Sequence, residues 1–219
     1  MKIGNCSYGC ARDVPSVIPV FPLPTALLLP RADMPLNVFE PRYVAMIDDA
    51  VAGDRIIGML QTDDATPPCG RGPALRTVGC AGRIVSFAET GDGRYLVTLT
   101  GVARFRVLDE VASDKPYRRC RISVEPFLSD FHPDQQCVDR AAVLRAFRSY
   151  LVAHGLDADW ESIGRTSSEA LVNALSMIAP FAPAEKQALL EAPDLKARAE
   201  TLVAIAEMSL ANPPNGRLQ

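Results

Sequence analysis

The chain is poor in the residues that usually carry chemistry. It has two histidines, one tryptophan and four lysines in 219 residues. Neither histidine sits in a nucleophile motif: His132 precedes Pro133 in a loop, and His154 falls beside a helix end, where a cation suits the helix dipole. No G-x-S-x-G elbow is present. No G-x-x-x-x-G-K-[ST] phosphate loop is present either, since Gly70-Arg71-Gly72-Pro73 lacks the lysine and the helix start. Charge of one sign is also missing. The 23 basic and 26 acidic residues give a net charge of −3, so nothing in the total draws the chain to a polyanion or an acidic membrane. No apolar run approaches the roughly 20 residues that span a bilayer. The start, Met1 to Asn5, leads into no signal-like stretch. The expectation is a cytoplasmic protein without a membrane partner.

Six cysteines are present. Cys80 and Cys120 lie in strand-like runs and read as small core hydrophobes. Cys6 and Cys10 are separated by three residues, and no second close pair exists. A zinc site from Cys6, Cys10 and Cys69 lacks the tight paired spacing such sites use, so no metal and no cofactor are predicted.

What the chain does have is a change of period. Residues 1–15 read as a flexible lead. Residues 16–126 carry short strands broken by turns: Arg55–Thr62, then a Pro- and Gly-rich loop, then Thr77–Glu89. Gly91-Asp92-Gly93 follows as a hairpin signal between β-branched runs. Gly79 and Gly82 mark a bulge or a close backbone approach. From about Pro133 to 211 the spacing becomes helical. Val138, Ala142, Leu144, Phe147, Leu151 and Val152 form the first stripe, ending near Gly155. Thr166-Ser167-Ser168-Glu169 reads as a capping box opening a helix with Leu171, Leu175 and Ile178. Pro183 opens a third helix, and Pro193-Asp194 a fourth with Leu195, Leu202, Ile205 and Met208. Trp160 reads as an anchor of this helical part. Residues 212–219 form a tail. The pattern predicts an α+β chain: a small barrel or sandwich followed by helices.

The most specific segment is Pro35 to Tyr43. Leu36, Val38 and Phe39 are strand-like, Pro41 suits the first helical turn, and Glu40 places negative charge at the helix's positive end. Phe39-Glu40-Pro41-Arg42-Tyr43 resembles the signature of the Lon protease N-terminal (substrate-binding) domain family. Phe21-Pro22-Leu23-Pro24, Val78–Ile84 with Gly82, Gly101–Val107 with Arg104 and Phe105, and Ser176–Ile178 with Glu185–Glu191 resemble further family blocks in order, covering roughly residues 16–210. Asn37 departs from the family, where a His is common. The resemblance implies a PUA-like pseudo β-barrel, then a C-terminal helical bundle. It implies a non-enzymatic, stand-alone module that binds unfolded or specific proteins or peptides, in a groove between the two parts or along a strand edge. Lon's ATPase and serine–lysine peptidase motifs are absent from these residues.

Glu40 and Arg42 have two readings. One is a peptide-touching surface. The other, preferred, is a helix start with Arg42 tied to a neighbouring strand, and with Phe39 and Tyr43 packed in the core. Two alternatives stand beside the protein-binding reading. The first is an adaptor or regulator of a separate protease. The second is a nucleic-acid-binding barrel, because Arg104 and Arg106 flank Phe105 and Arg118, Arg119 and Arg121 follow; the acidic total argues against it.

Overall fold

In a computed structural model, residues 1–63, 65–67, 72–132, 137–155 and 160–211 are described, with backbone alone at 160–162. The chain divides into two compact units, Met1–Pro133 and Asp134–Gln219.

The first unit opens with β1 (Lys2–Ile3) and β2 (Cys6–Ser7), paired antiparallel, and a 3-10 turn at Ala11–Asp13. Next come β3 (Val17–Pro22), β4 (Asp33–Val38), α1 (Pro41–Ala52), β5 (Ile56–Leu60), β6 (Val78–Glu89), β7 (Tyr95–Val111) and β8 (Arg119–Ser123). A second 3-10 segment, Glu125–Phe131, ends the unit. Six strands form one mixed sheet in the order β4-β7-β6-β5-β3-β8; β3 runs parallel to β5 and the other pairs are antiparallel. The long β7 serves two partners. Its first residues, Tyr95–Thr100, pair with β4, and its later ones, Arg106–Val111, pair with β8. The pairing therefore returns to β7 through β6, β5, β3 and β8, and leaves β4 as an edge strand.

Three register shifts along β7 and β6 leave Val102, Val85 and Leu108 as extra residues. Each such bulge breaks the strict in–out alternation of a strand. That is why Val85 and Leu108, apolar by type, lie exposed.

Phe105 is fully buried, in space left by two glycines. A Cβ at Gly79 would lie 2.6 Å from the Phe105 ring and 2.5 Å from the Met59 carbonyl; one at Gly58 would lie 2.9 Å from the ring. Burying a phenylalanine at such a site stabilises the fold by about 1.5–3 kcal/mol. Gly101 meets the loop after β3 even more closely, with Leu29 O 2.0 Å from where a Cβ would be.

The sequence predicts a flexible lead over residues 1–15, and the structure differs. Ile3, Tyr8 and Val14 belong to the same buried cluster as Ile18, Phe105 and Ile122. The Met1 ammonium donates to Tyr8 O and to Phe131 O. Strands of two residues are too short to show a period, so the sequence carried no signal for them.

The second unit comprises α2 (Arg140–Ala153), α3 (Trp160–Arg165), α4 (Ser168–Ile178), α5 (Pro183–Glu191) and α6 (Leu195–Ala211). Helices α2, α4 and α5 all pack on α6. Buried faces are shifted from the predicted stripes. In α2 the buried residues are Val143, Ala146, Phe147 and Tyr150, while Val152 is exposed. Tyr150 and Phe147 both meet the Phe181 ring, at 5.6 and 6.5 Å. The α4 cap is Ser167, whose Oγ accepts from Ala170 N, so the cap falls one residue after Thr166. Ile178 and Met208, assigned to apolar stripes by spacing, are exposed. Buried Lys186 donates to Met177 O at the end of α4, and burial lowers its pKa. Among the described residues no helix is long and apolar enough to cross a membrane. Cys69, Gly70, Arg71, Pro133 and the tail 212–219, and the Trp160 side chain, lie outside the description.

Candidate functional site

The signature residues divide between core and surface. Tyr43 is buried, its ring 4.1 Å from that of Phe21, and burial pushes its phenol pKa up. Gly82, Gly101 and Phe105 lie in the sheet interior. Arg104 is only 2% exposed and is held by Asp130. Its Nε and Nη2 donate to the two carboxylate oxygens at 2.9 and 2.8 Å, and its backbone N–H donates to Oδ2 at 2.9 Å. The guanidinium also stacks 4.8 Å from the Phe127 ring.

Phe39, Glu40, Pro41 and Arg42 lie on the surface. Two expectations are corrected here. Phe39 is 60% exposed instead of packed, because the strand ends at Val38 with Val38 taking the inward position. Arg42 does not reach a neighbouring strand. It donates from Nε to Glu40 Oε2 at 2.9 Å and covers the Tyr43 ring at 4.5 Å. Pro41 does stand at the first position of α1, and Glu40 is its N-cap residue.

Phe39 has company. Strand pairing sets Asn37 beside Leu96 and Leu96 beside Ala88. Residues two apart on a strand share a face. Phe39 thus shares a face with Asn37, Leu96 and Arg94, and the Arg94 guanidinium lies 5.8 Å from the Phe39 ring. Leu96 is 49% exposed. On the opposite face Phe87 meets Tyr95 edge-on at 4.8 Å. The last five residues of β6, Val85 to Glu89, are all exposed, so both faces of this end of the sheet reach solvent. The turn beyond it is braced locally. Thr90 Oγ1 donates to Asp92, which holds that carboxyl below its usual range, and Arg94 pairs with Asp92 at 3.3 Å.

These residues leave apolar side chains exposed on both faces of one sheet end next to the edge strand β4, with Phe39 and Leu96 together on one face and Phe87 on the other. The patch shared by Phe39 and Leu96 is of the kind that marks interaction sites. The edge itself is guarded. Pro35 has no N–H to offer an incoming strand, and edge strands are where sheets tolerate proline. The site is therefore a side-chain surface more than a free ladder. Sequence reasoning named none of it as binding surface, because Leu96 and Phe87 look like ordinary alternating strand residues.

The arginine cluster offers little to a nucleic-acid backbone. Arg104 is buried and paired, Arg118 pairs with Glu110 at 2.6 Å, and Arg121 pairs with Asp109 at 3.1 Å. His154 ends α2, its Nδ1 2.8 Å from Tyr150 O. Among the described residues no group of three or more His, Cys, Asp or Glu could hold a metal. Cys80 and Cys120 are buried, as their strand positions predict; burial pushes the Cys120 thiol up to about 11.

Comparison with known proteins fits this architecture. Over 200 residues the chain is 30% identical to Lon protease 2 of Myxococcus xanthus, covering 85% of this chain and 23% of that protein. It is 32% identical over 203 residues to Lon protease 2 of Sorangium cellulosum, covering 88% and 25%. The chain thus spans about a quarter of the length of these relatives. The solved Lon N-terminal domain protein from Xanthomonas campestris superposes with a TM-score of 0.60 at 24% identity, covering 86% of this chain and 97% of that one. The N-terminal domain of Mycobacterium avium complex Lon protease gives 0.61 at 16% identity, covering 87% and 98%. At those identities the likeness is one of fold. The model of the ATP-dependent protease La (LON) substrate-binding domain matches residues 17–207, and the chain belongs to that family.

Proposed function

We propose that this chain is a non-enzymatic module that binds protein segments, unfolded or specific, through the exposed end of the β4–β7–β6 sheet. The observation that carries the reading is the exposed apolar pair Phe39, just past β4, and Leu96 on β7, which share one face, with Val85 and Phe87 of β6 also exposed at the same sheet end. Such residues cost solubility when left bare and gain it back when a partner's apolar side chains cover them. The family supports the same reading, as a substrate-binding domain. A pseudo-barrel with a helical bundle is the architecture we infer for the two units; the pairing that returns to β7 supports the first part and the packing on α6 the second.

Binding of this kind needs no ATP and no cofactor. The 219 residues hold no phosphate loop and no Lon-like peptidase block. The test is a fluorescence-anisotropy titration of labelled, unfolded casein at pH 7. Micromolar or tighter association, with no casein turnover with or without ATP, is the expected result. Turnover would sink the non-enzymatic reading, and no association at accessible concentrations would sink the binding one.

A further inference from the structure

The first unit buries two arginines on its two longest strands, and among the described residues only one of them has a carboxylate. Arg104 on β7 is clasped by Asp130. Arg83 on β6 is 6% exposed and forms no ion pair among the described residues. Its Nη1 donates to Tyr8 Oη at 3.2 Å and to Asp54 O at 3.0 Å, and its Nη2 donates to Asn5 Oδ1 at 2.9 Å. All three acceptors are neutral. A guanidinium carries five N–H donors, so Nε–H and one Nη2 hydrogen have no acceptor among the described residues. Buried charges are ordinarily paired, because desolvation without a counter-ion is costly.

Arg83 opens into a cleft of about 480 Å³ formed by the N-terminal hairpin, the 3-10 turn after it and the start of β5. That volume is within the roughly 300–1,000 Å³ of small-ligand sites. Arg12 lines the same cleft; it is exposed and its side chain forms no ion pair among the described residues. Two carboxylates line it as well. Asp13 is committed to its own turn, accepting from the backbone N–H groups of Gly9 and Cys10 at 2.7 and 3.0 Å. Asp54 is exposed, and its backbone carbonyl is already used by Arg83.

We propose that this cleft takes one carboxylate, held by Arg83 and Arg12, and that it is the C-terminal carboxylate of a bound polypeptide. The planar guanidinium matches a carboxylate by paired N–H···O bonds. Two arginines against two aspartates leave the cleft without excess positive charge, which suits a single negative charge better than a dianionic phosphate. A chain end also brings its last peptide N–H groups, which give the exposed Asp54 carboxylate a donor. The proposal rests on the protein-binding reading above but uses a different part of the unit.

The test uses the whole chain and three fluorescent hexapeptides of related sequence: one with a free C-terminal carboxylate, one amidated, and one amidated with an internal Asp. Losing a charge-assisted pair of bonds weakens binding roughly tenfold or more, so the free acid is expected to bind at least that much tighter than either amide. Arg12→Glu, an exposed change, is expected to abolish the difference, and Arg83→Lys to reduce it. Acetate is expected to compete with the free acid better than inorganic phosphate. Equal binding of acid and amide overturns the proposal, as does retention of the difference in Arg12→Glu. An internal Asp as good as the free acid overturns the chain-end assignment, and stronger competition by phosphate overturns the single-charge argument. If all three peptides fail while unfolded casein still binds, the cleft proposal falls and the protein-binding reading stands. If casein fails too, both fall.

Discussion

Replacing Asp130 with alanine tests whether Arg104, a signature residue, acts in the fold or at a surface. Asp130 receives three hydrogen bonds from one residue, at 2.9, 2.9 and 2.8 Å. The two side chains are 2% and 7% exposed, so water is poorly placed to replace the carboxylate. The variant removes the buried carboxylate that clasps the guanidinium. Breaking a buried pair from one side typically costs about 3–5 kcal/mol, against a total stability of about 5–15 kcal/mol for a protein. Asp130→Asn keeps the shape and some hydrogen bonding and should fall between. The double variant Arg104→Met with Asp130→Leu removes both charges and should recover most of the loss, since apolar replacement of a whole buried pair is often neutral. The single tryptophan is in the helical unit, so its fluorescence is a poor reporter of this change. Amide hydrogen exchange at Val102–Phe105 reads the opening free energy of the sheet directly. A loss below about 1 kcal/mol in Asp130→Ala, the range of exposed ion pairs, would refute the structural assignment of Arg104.

Other changes probe separate joints of the account. Gly101→Ala forces a Cβ to within 2.0 Å of Leu29 O, a backbone atom that cannot step aside; urea denaturation should show a loss of at least about 2 kcal/mol. Gly91→Ala, at a turn with open space but φ +79, should cost about 1 kcal/mol. Tyr8→Ala empties a buried position in the lead and removes one of the three acceptors of Arg83; a loss of about 2–4 kcal/mol is expected, whereas a flexible lead would give none. Tyr117 has its pKa pushed up from 10.0 to about 12, by burial first and then by its hydrogen bond to Asp49. The folded protein therefore holds this proton more tightly than the unfolded chain, so the stabilisation is complete below pH 10 and is lost as pH rises toward 12. Ultraviolet titration should show a tyrosine ionising near pH 12 that Tyr117→Phe removes, and the same substitution should remove that fall in stability.

Local rules carried far where the signal was local. Pro41 marks a helix start because its ring fits the first turn, and Gly91-Asp92-Gly93 joins two paired strands. The Ser167 cap shows how such rules slip by a residue when two hydroxyl side chains stand side by side at 166 and 167. Side-chain fate depended instead on distant partners. Arg104 reads as an exposed basic strand residue until Asp130, 26 positions on, is brought beneath it. Phe39 reads as core because it follows Leu36 and Val38, yet alternation turns it outward once Val38 points in. Val85 and Leu108 are exposed because bulges displaced them, and no periodicity announces a bulge. In α2 the buried face is chosen by the partner α6, which favours Tyr150 over Val152. The exposed sheet end is thus a product of pairing between β4, β6 and β7, and could be found only after those strands were placed.

Binding of protein segments at that sheet end is tested by chemical-shift mapping of the labelled chain during titration with an unfolded polypeptide. Perturbations should concentrate at 37–39, 85–89 and 94–98, and the Phe39→Asp with Leu96→Asp double variant should weaken binding at least roughly tenfold, as removal of two apolar contacts implies. Perturbations confined to residues 137–211, with the double variant binding as tightly as the parent, would contradict it.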